Sequence, residues 1–325
     1  TIPLFQGGRM INNYKKSENE LELAKEEKKL AIYSWQEEAI NAYFSNLSYR
    51  KQKEITDSTI RALQKQYTRL NGLYNENKLI AKSEILKIEA DLEKNKALNY
   101  NNSQNEKASK EKLMQLLGYE LDKQVTLNEI DAINYIKTSK IIKKIKDPKN
   151  TTLGKAQSIM VDIAGYDVKI AKADLYPILY IKPSYKFKEE NLSSHKYKNV
   201  NEGRVEVGIK YVFEWGATLD SIAQSEYKLD QAKIKYDNNI QEIELDMKNK
   251  LGEIESLSGQ SESQKKRVEL LRENLKIDNL RYDNELISTF DYLNSVNQLK
   301  IAEEDYYKLQ RLLVLSVIEY ENLYK

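Results

Sequence analysis

Chemistry in this sequence has to come from carboxylates, amines and guanidinium groups, because the other reactive side chains are almost missing. There is no cysteine, and His195 is the single histidine. Thiol redox chemistry, Cys/His zinc sites and histidine-based triads are thereby excluded. No nucleophile–base set and no metal-ligating cluster can be discerned, so no cofactor and no metal is expected and the chain does not read as an enzyme. The 52 Lys and Arg and 50 Asp and Glu are interleaved, for a formal net charge of +2. A nucleic-acid partner would need a basic stripe instead. Two groups of charges are nevertheless patterned. Lys182, Lys186, Arg204, Glu206 and Lys210 alternate with apolar residues, and the acids Glu84 and Asp291 each follow a Leu-Ile pair by four positions.

The elements that must position these groups occur twice. Pro3-Leu4-Phe5-Gln6-Gly7-Gly8 leads through helix-forming sequence to Leu79-Ile80, and Val212-Phe213-Glu214-Trp215-Gly216 leads to Leu286-Ile287. Phe5 to Leu79 is 74 residues and Phe213 to Leu286 is 73. Any two coiled-coil hairpins share some leucines. The recurring order of strand, glycine, long helix, Leu-Ile turn and return helix is harder to reach by chance and points to two structural repeats.

The only prolines are Pro3, Pro148, Pro177 and Pro183, so 4–147 and 184–325 contain none. Proline costs a helix interior about 3 kcal/mol, and its absence permits very long helices. Ile60, Leu63, Tyr67, Leu70 and Tyr74 form a 3.5-residue seam, and so do Leu229, Ala232, Tyr236, Ile240, Ile243, Met247, Leu251 and Ile254. The pattern predicts helices from about 9 to 76, 82 to 117 (stopped by Gly118), 127 to 146, 151 to 174, 217 to 283 and 289 to 323.

Between Pro177 and Trp215 the period changes to two. Leu179, Ile181, Tyr185 and Phe187 alternate with Tyr180, Lys182, Ser184, Lys186 and Lys188; Val205, Val207, Ile209, Tyr211 and Phe213 alternate with Arg204, Glu206, Gly208 and Lys210. These runs predict a two-faced β-hairpin with 189–203 as an exposed polar loop. One reading is a membrane β-barrel, with the apolar side towards outer-membrane lipid, the charged side towards a lumen and Trp215 in an interfacial girdle. The other is a soluble hairpin with one face on a core. Thr1–Gln6 reads as a third strand, and Thr1 as a processed or truncated start.

At this point the residues resemble the TolC-like outer-membrane efflux proteins. Pro3-Leu4-Phe5-Gln6-Gly7-Gly8-Arg9 is similar to that family's turn from strand into long helix, and the stretches from Leu79 to Leu86 and from Leu286 to Leu293 resemble its two helical tips. The resemblance implies a mainly α fold: coiled-coil helical hairpins forming an α-barrel, beneath a small antiparallel membrane β-barrel shared by a homotrimer. It implies repeat 1 over 1–118, an equatorial segment over 119–174, and repeat 2 over 175–325, with its β-hairpin at 178–213 and its helical hairpin at 217–323. Asp291, Glu84, Asn294 and Tyr282 would then stand at a periplasmic gate, where acids gathered around one axis raise each other's pKa and attract cations. Glu84 and Asp291 could equally be there to favour helix N-termini. The family's arginine beside Ile287 has no counterpart in the neighbouring sequence.

Leu79, Ile80, Leu286 and Ile287 would meet the hairpin of a periplasmic adaptor, or pack within their own turns. Lys182, Lys186, Arg204 and Lys210 would line a basic lumen offset by Glu206. The implied function is the exit duct of a tripartite efflux or type I secretion system, coupled through the adaptor to an inner-membrane pump of RND or ABC type. A periplasmic adaptor itself, or a soluble structural coiled coil, are the alternatives.

Overall fold

The computed structural model describes residues 1–77, 80–121, 125–129, 136, 147–192, 196–214 and 216–325, with backbone alone at 77, 187–192 and 196–201. Strand β1 (Ile2–Gln6) is followed by α1 (Arg9–Asn77), α2 (Lys82–Leu116), α3 (Thr152–Lys172), β2 (Ile178–Leu192), β3 (Lys196–Lys210), α4 (Ala217–Asp283) and α5 (Thr289–Tyr324). Single 3-10 turns at Pro148–Asn150 and Ala173–Leu175 bracket α3. Two compact units share these elements. One comprises Thr1–Leu30 and Lys146–Glu244, the other Ala31–Ile145 and Leu245–Lys325.

In the first unit a three-stranded antiparallel sheet, in the order β1-β2-β3, sits beside α3 and the leading turns of α1 and α4. Thr151 starts α3 by accepting a bond from the Gly154 amide at 3.0 Å, a side-chain N-cap. Polar contacts hold α3 between its neighbours. Lys16 meets Asp167 at 2.7 Å, Lys172 meets Glu226 at 2.7 Å, and Asn239 donates to Gln157 at 2.8 Å. Arg9 pairs with Asp174 where the sheet passes into helix.

The second unit is built from four helical segments, of α1, α2, α4 and α5. Their main core joins Leu63 and Leu70 of α1, Ile85, Ile88 and Leu92 of α2, Tyr282 of α4 and Tyr292, Leu293 and Val296 of α5, with Ile60, Tyr67 and Tyr74 against it. The seam expected on α1 is thus the seam observed. On α4 the buried positions Ile243, Met247, Ile254, Leu257, Ser261, Val268, Asp278 and Tyr282 keep the heptad steps.

The strands depart from expectation. β2 and β3 pair without interruption from Ile178↔Lys210 to Leu192↔Lys196, so most of the expected loop at 189–203 is ladder. Polar residues can extend a strand where neither face needs a core, and composition alone conceals that. β3 also ends at Lys210, leaving Tyr211 and Phe213 beyond it. Of the helix expected at 127–146, residues 127–129 are irregular and Ile136 is helical, and the remainder lies outside the described residues. Trp215 and His195 lie outside them as well.

The turn from β1 into α1 needs both its glycines, for different reasons. Gly7 and Gly8 have φ of +58° and +83°. A β-carbon on Gly7 would sit 2.6 Å from the Ala173 carbonyl oxygen and 2.9 Å from Tyr176, whereas one on Gly8 would meet only the Asn12 amide, at 3.5 Å. Gly8→Ala should therefore cost about the 1–2 kcal/mol of a left-handed non-glycine residue, and Gly7→Ala more. Thermal unfolding of the two variants checks this; equal losses would remove the packing argument.

Candidate functional site: the hairpin turns and the two-faced sheet

The two helical turns lie at one end of the second unit, because residues flanking both contribute to the same core. They are built differently. The turn between α4 and α5 closes with Glu285 in the left-handed region, φ 59°, the one non-glycine residue with positive φ among those described. The Leu286 amide bonds the Arg281 carbonyl at 2.8 Å and the Glu285 amide bonds that of Tyr282 at 3.1 Å, which is a Schellman closure without its usual glycine. Helix α5 then starts with a capping box. Ser288 Oγ accepts from the Asp291 amide at 3.1 Å and donates to Asp291 Oδ2 at 2.7 Å, while the Ser288 amide reaches that oxygen at 3.4 Å. The first turn lacks this device: Ala81 occupies the N-cap of α2 and makes no side-chain bond.

Asp291 is exposed and carries the cap, and Asn294, one turn on, is exposed too. Tyr282 does not share their exposure. It is 6% exposed, its ring stacks on Tyr292 at 4.5 Å, and burial raises its phenol pKa. Tyr292 is deeper still, and burial pushes its phenol up to about 12. The Tyr282 hydroxyl lies 3.0 Å from Thr289 Oγ1, and either can donate. The bond from Lys87, at 2.8 Å, and the influence of the Thr289 hydroxyl lower the Glu84 pKa below the ordinary glutamate value.

Sequence reasoning missed Thr289 and Arg69. Arg69 of α1 pairs with Asp283 Oδ1 at 2.7 Å and donates to the Asp283 carbonyl oxygen at 2.9 Å, closing the C-terminal end of α4. With Ile80, Glu84, Glu285, Ile287 and Phe290 it lines a cleft of about 550 Å³. Arg69 reaches this cleft from another helix, which no local motif could reveal. The Ser288-to-Asp291 spacing, by contrast, was a readable capping signal. The Leu-Ile pairs divide. Ile80 and Ile287 pack on the core, Leu286 is 69% exposed beside an equally exposed Phe290, and Leu79 lies outside the described residues.

In the first unit the register sorts the sheet cleanly by face. Leu179↔Ile209, Ile181↔Val207 and Pro183↔Val205 are cross-strand pairs on one side. A bulge at Leu4 brings Ile2 opposite Ile181 and Phe5 opposite Leu179, so β1 extends the same apolar face. That face is bare: Val207 is 64% exposed and Ile209 73%. The other side carries Lys182↔Glu206, Ser184↔Arg204, Lys186↔Glu202 and the Lys210 end of β3. All five charged residues singled out from the sequence share this face. Glu202, which the sequence reading placed in a loop, joins it as a second acid. Tyr180 lies over Gly208 and donates to Glu206 at 3.1 Å.

No protein-family model matches the sequence, and no curated protein sequence does. Solved structures do match the fold. The Campylobacter jejuni CmeC outer membrane channel superposes with a TM-score of 0.82 at 14% identity, over 98% of this chain and 68% of that one. CusC, solved in a study of folding and transmembrane channel formation, gives 0.84 at 15% identity over 98% and 74%. The outer membrane protein VceC of Vibrio cholerae gives 0.77 at 17% identity over 97% and 76%. Long helical hairpins with a small two-faced sheet therefore define an outer-membrane-channel architecture. In particular, the fold is that of the TolC-like channels.

Two outcomes follow at the α4–α5 turn. Glu285→Gly should stabilise the protein by about 1–2 kcal/mol, the cost of a left-handed non-glycine residue, read as a higher unfolding midpoint. The lowered Glu84 pKa contributes stability that is present above the ordinary glutamate value and lost as pH falls through the depressed one. Acid titration of the unfolding midpoint should thus be shallower in Glu84→Gln than in wild type over that range; parallel curves would contradict the assignment.

Proposed function

We propose that the chain is the exit duct of an export system: a homotrimer in the outer membrane, passive, with the helical hairpins as its tunnel. The observation that carries this reading is the sheet. An exposed apolar face backed by a charged one suits a wall between lipid and water. No helix among the described residues is long and apolar enough to cross a membrane. Among the described residues β1 and β3 are both edges, available to pair with strands of neighbouring copies into a closed barrel.

On this reading the chain has two repeats, 1–118 and 175–325, joined by an equatorial segment over 119–174. Lys182, Lys186, Arg204, Glu206 and Lys210 face the lumen together with Glu202. Asp291 and Asn294 are the exposed polar groups available to a periplasmic gate, with Glu84 and Tyr282 beside them. Leu79, Ile80, Leu286 and Ile287 meet a periplasmic adaptor, and through it an inner-membrane pump of RND or ABC type drives tripartite efflux or type I secretion.

The test is membrane assembly. The full chain should require detergent for extraction, and in lipid vesicles it should form heat-resistant trimers that conduct ions in planar bilayers. A lysine on the lipid face costs about 2–4 kcal/mol at the midplane, so Val207→Lys should block insertion while Lys182→Gln inserts normally. Recovery of the full chain in the soluble fraction without detergent, or equal insertion of Val207→Lys, would refute the proposal.

A further inference from the structure

The cleft at the hairpin turns is built by both hairpins of the second unit. Arg69, Leu70 and Leu73 come from α1, while Ile80, Glu84 and Lys87 come from the first turn and α2. Tyr282, Glu285, Ile287 and Phe290 come from the second turn and its flanks. At about 550 Å³ it falls within the range that small organic ligands occupy, roughly 300–1,000 Å³. Leu73, Ile80, Ile287 and Phe290 make much of the lining apolar.

The charged groups of the lining are matched, with one exception. Arg69 is held by Asp283 through a carboxylate oxygen and the carbonyl, and Lys87 by Glu84 at 2.8 Å. Glu285 has no ion pair and no side-chain hydrogen bond with another described residue. It also sits at φ 59°, a conformation that glycine adopts without strain. A carboxylate is thus kept at a strained backbone position where no bond within the described fold calls for it, and such strain collects at ligand sites. The aromatic rings divide in the same way. Tyr282 is already taken by the stacked Tyr292 and by Arg69, whose guanidinium lies 5.9 Å from the ring centroid. Phe290 is 69% exposed and meets no ring or cation among the described residues. The cleft therefore leaves open one carboxylate, one aromatic ring and an apolar lining.

We propose that this cleft is a binding site for a lipophilic organic cation, with its apolar groups on Leu73, Ile80 and Ile287 and its charge between the Glu285 carboxylate and the Phe290 ring. Both contacts favour a cation, the carboxylate by its charge and the ring by its quadrupole. A neutral hydrophobe gains nothing from Glu285, and an anion is repelled by it while the two lining cations are engaged elsewhere. Because the lining comes from both turns, an occupant bridges the hairpins and stabilises that end of the unit by mass action. The site needs only the folded second unit and does not rest on the export reading, whose own test is membrane assembly.

Tetraphenylphosphonium and tetraphenylborate share a shape and differ in the sign of their charge, so the pair separates charge recognition from apolar partition. In equilibrium dialysis of the full chain in detergent, against matched protein-free micelles, the phosphonium should bind saturably at one site per chain and the borate should not. Glu285→Gln should weaken the phosphonium by about two- to fivefold, the size of an exposed ion pair. Phe290→Leu keeps the apolar bulk and should cost a similar factor, about two- to fivefold, for the lost ring. Glu285→Lys should turn the preference towards the borate. Glu285→Gly relieves the backbone strain and should lose affinity as Glu285→Gln does, which separates the effect from misfolding. A wild-type chain that binds neither ion saturably leaves the cleft to a partner's helix or a second copy and overturns the site. Equal affinities for the two ions, or phosphonium binding unchanged in both Glu285→Gln and Glu285→Gly, overturn it as well.

Discussion

A helix of 69 residues gains no lateral position from its own hydrogen bonds, and α1 and α4, at 69 and 67 residues, are placed only by what their seams touch. The contact on which the rest of the second unit depends is the apolar layer around Leu63, Ile88, Leu92 and Tyr292, where four helical segments meet. It sets the rotation of each helix about its own axis. Once that is set, the faces of Asp291, Leu286 and Lys300 are set too, since each lies a fixed number of residues from a buried one. Tyr282 shows the constraint most clearly. Its place in the heptad sends it inward, where its ring stacks and its hydroxyl has to find Thr289.

Along these helices apolar and polar layers alternate, and they respond to different things. The apolar layers depend on water exclusion and are indifferent to pH. The polar ones depend on hydrogen bonding instead. Thr56 bonds Asn99 at 3.0 Å, Asn46 bonds the Glu106 carbonyl at 2.7 Å, and Lys300 bonds Asn95, all buried or nearly so. Such layers contribute little net stability, because water offers the same bonds. What they supply is register, since a slip of one residue would leave a buried amide or ammonium unpaired. Long uniform seams need that correction, as leucine packs nearly as well one heptad away.

The sheet meets a different constraint. Among the described residues its apolar face is bare, and the bulge at Leu4 keeps β1 in step with β2. The glycine turn that follows works to the same end, since Gly7 lets the chain pass against Ala173 and Tyr176.

Much of this was legible in the sequence. The spans of α1 to α5, the breaks before α2 and α5, the seam on α1 and the sharing of one face by Lys182, Lys186, Arg204, Glu206 and Lys210 all follow from period and from glycine and proline placement. Those signals are local: a residue's neighbours three, four or two positions away state which face it joins. What sequence could not state was who stands opposite. The pairing of polar strand residues beyond Lys188, the inward turn of Tyr282, the arrival of Arg69 at Asp283 and the burial of Lys300 against Asn95 each join residues far apart in the chain. Period names a face, but only packing, which weighs every burial against every desolvation at once, decides what that face meets.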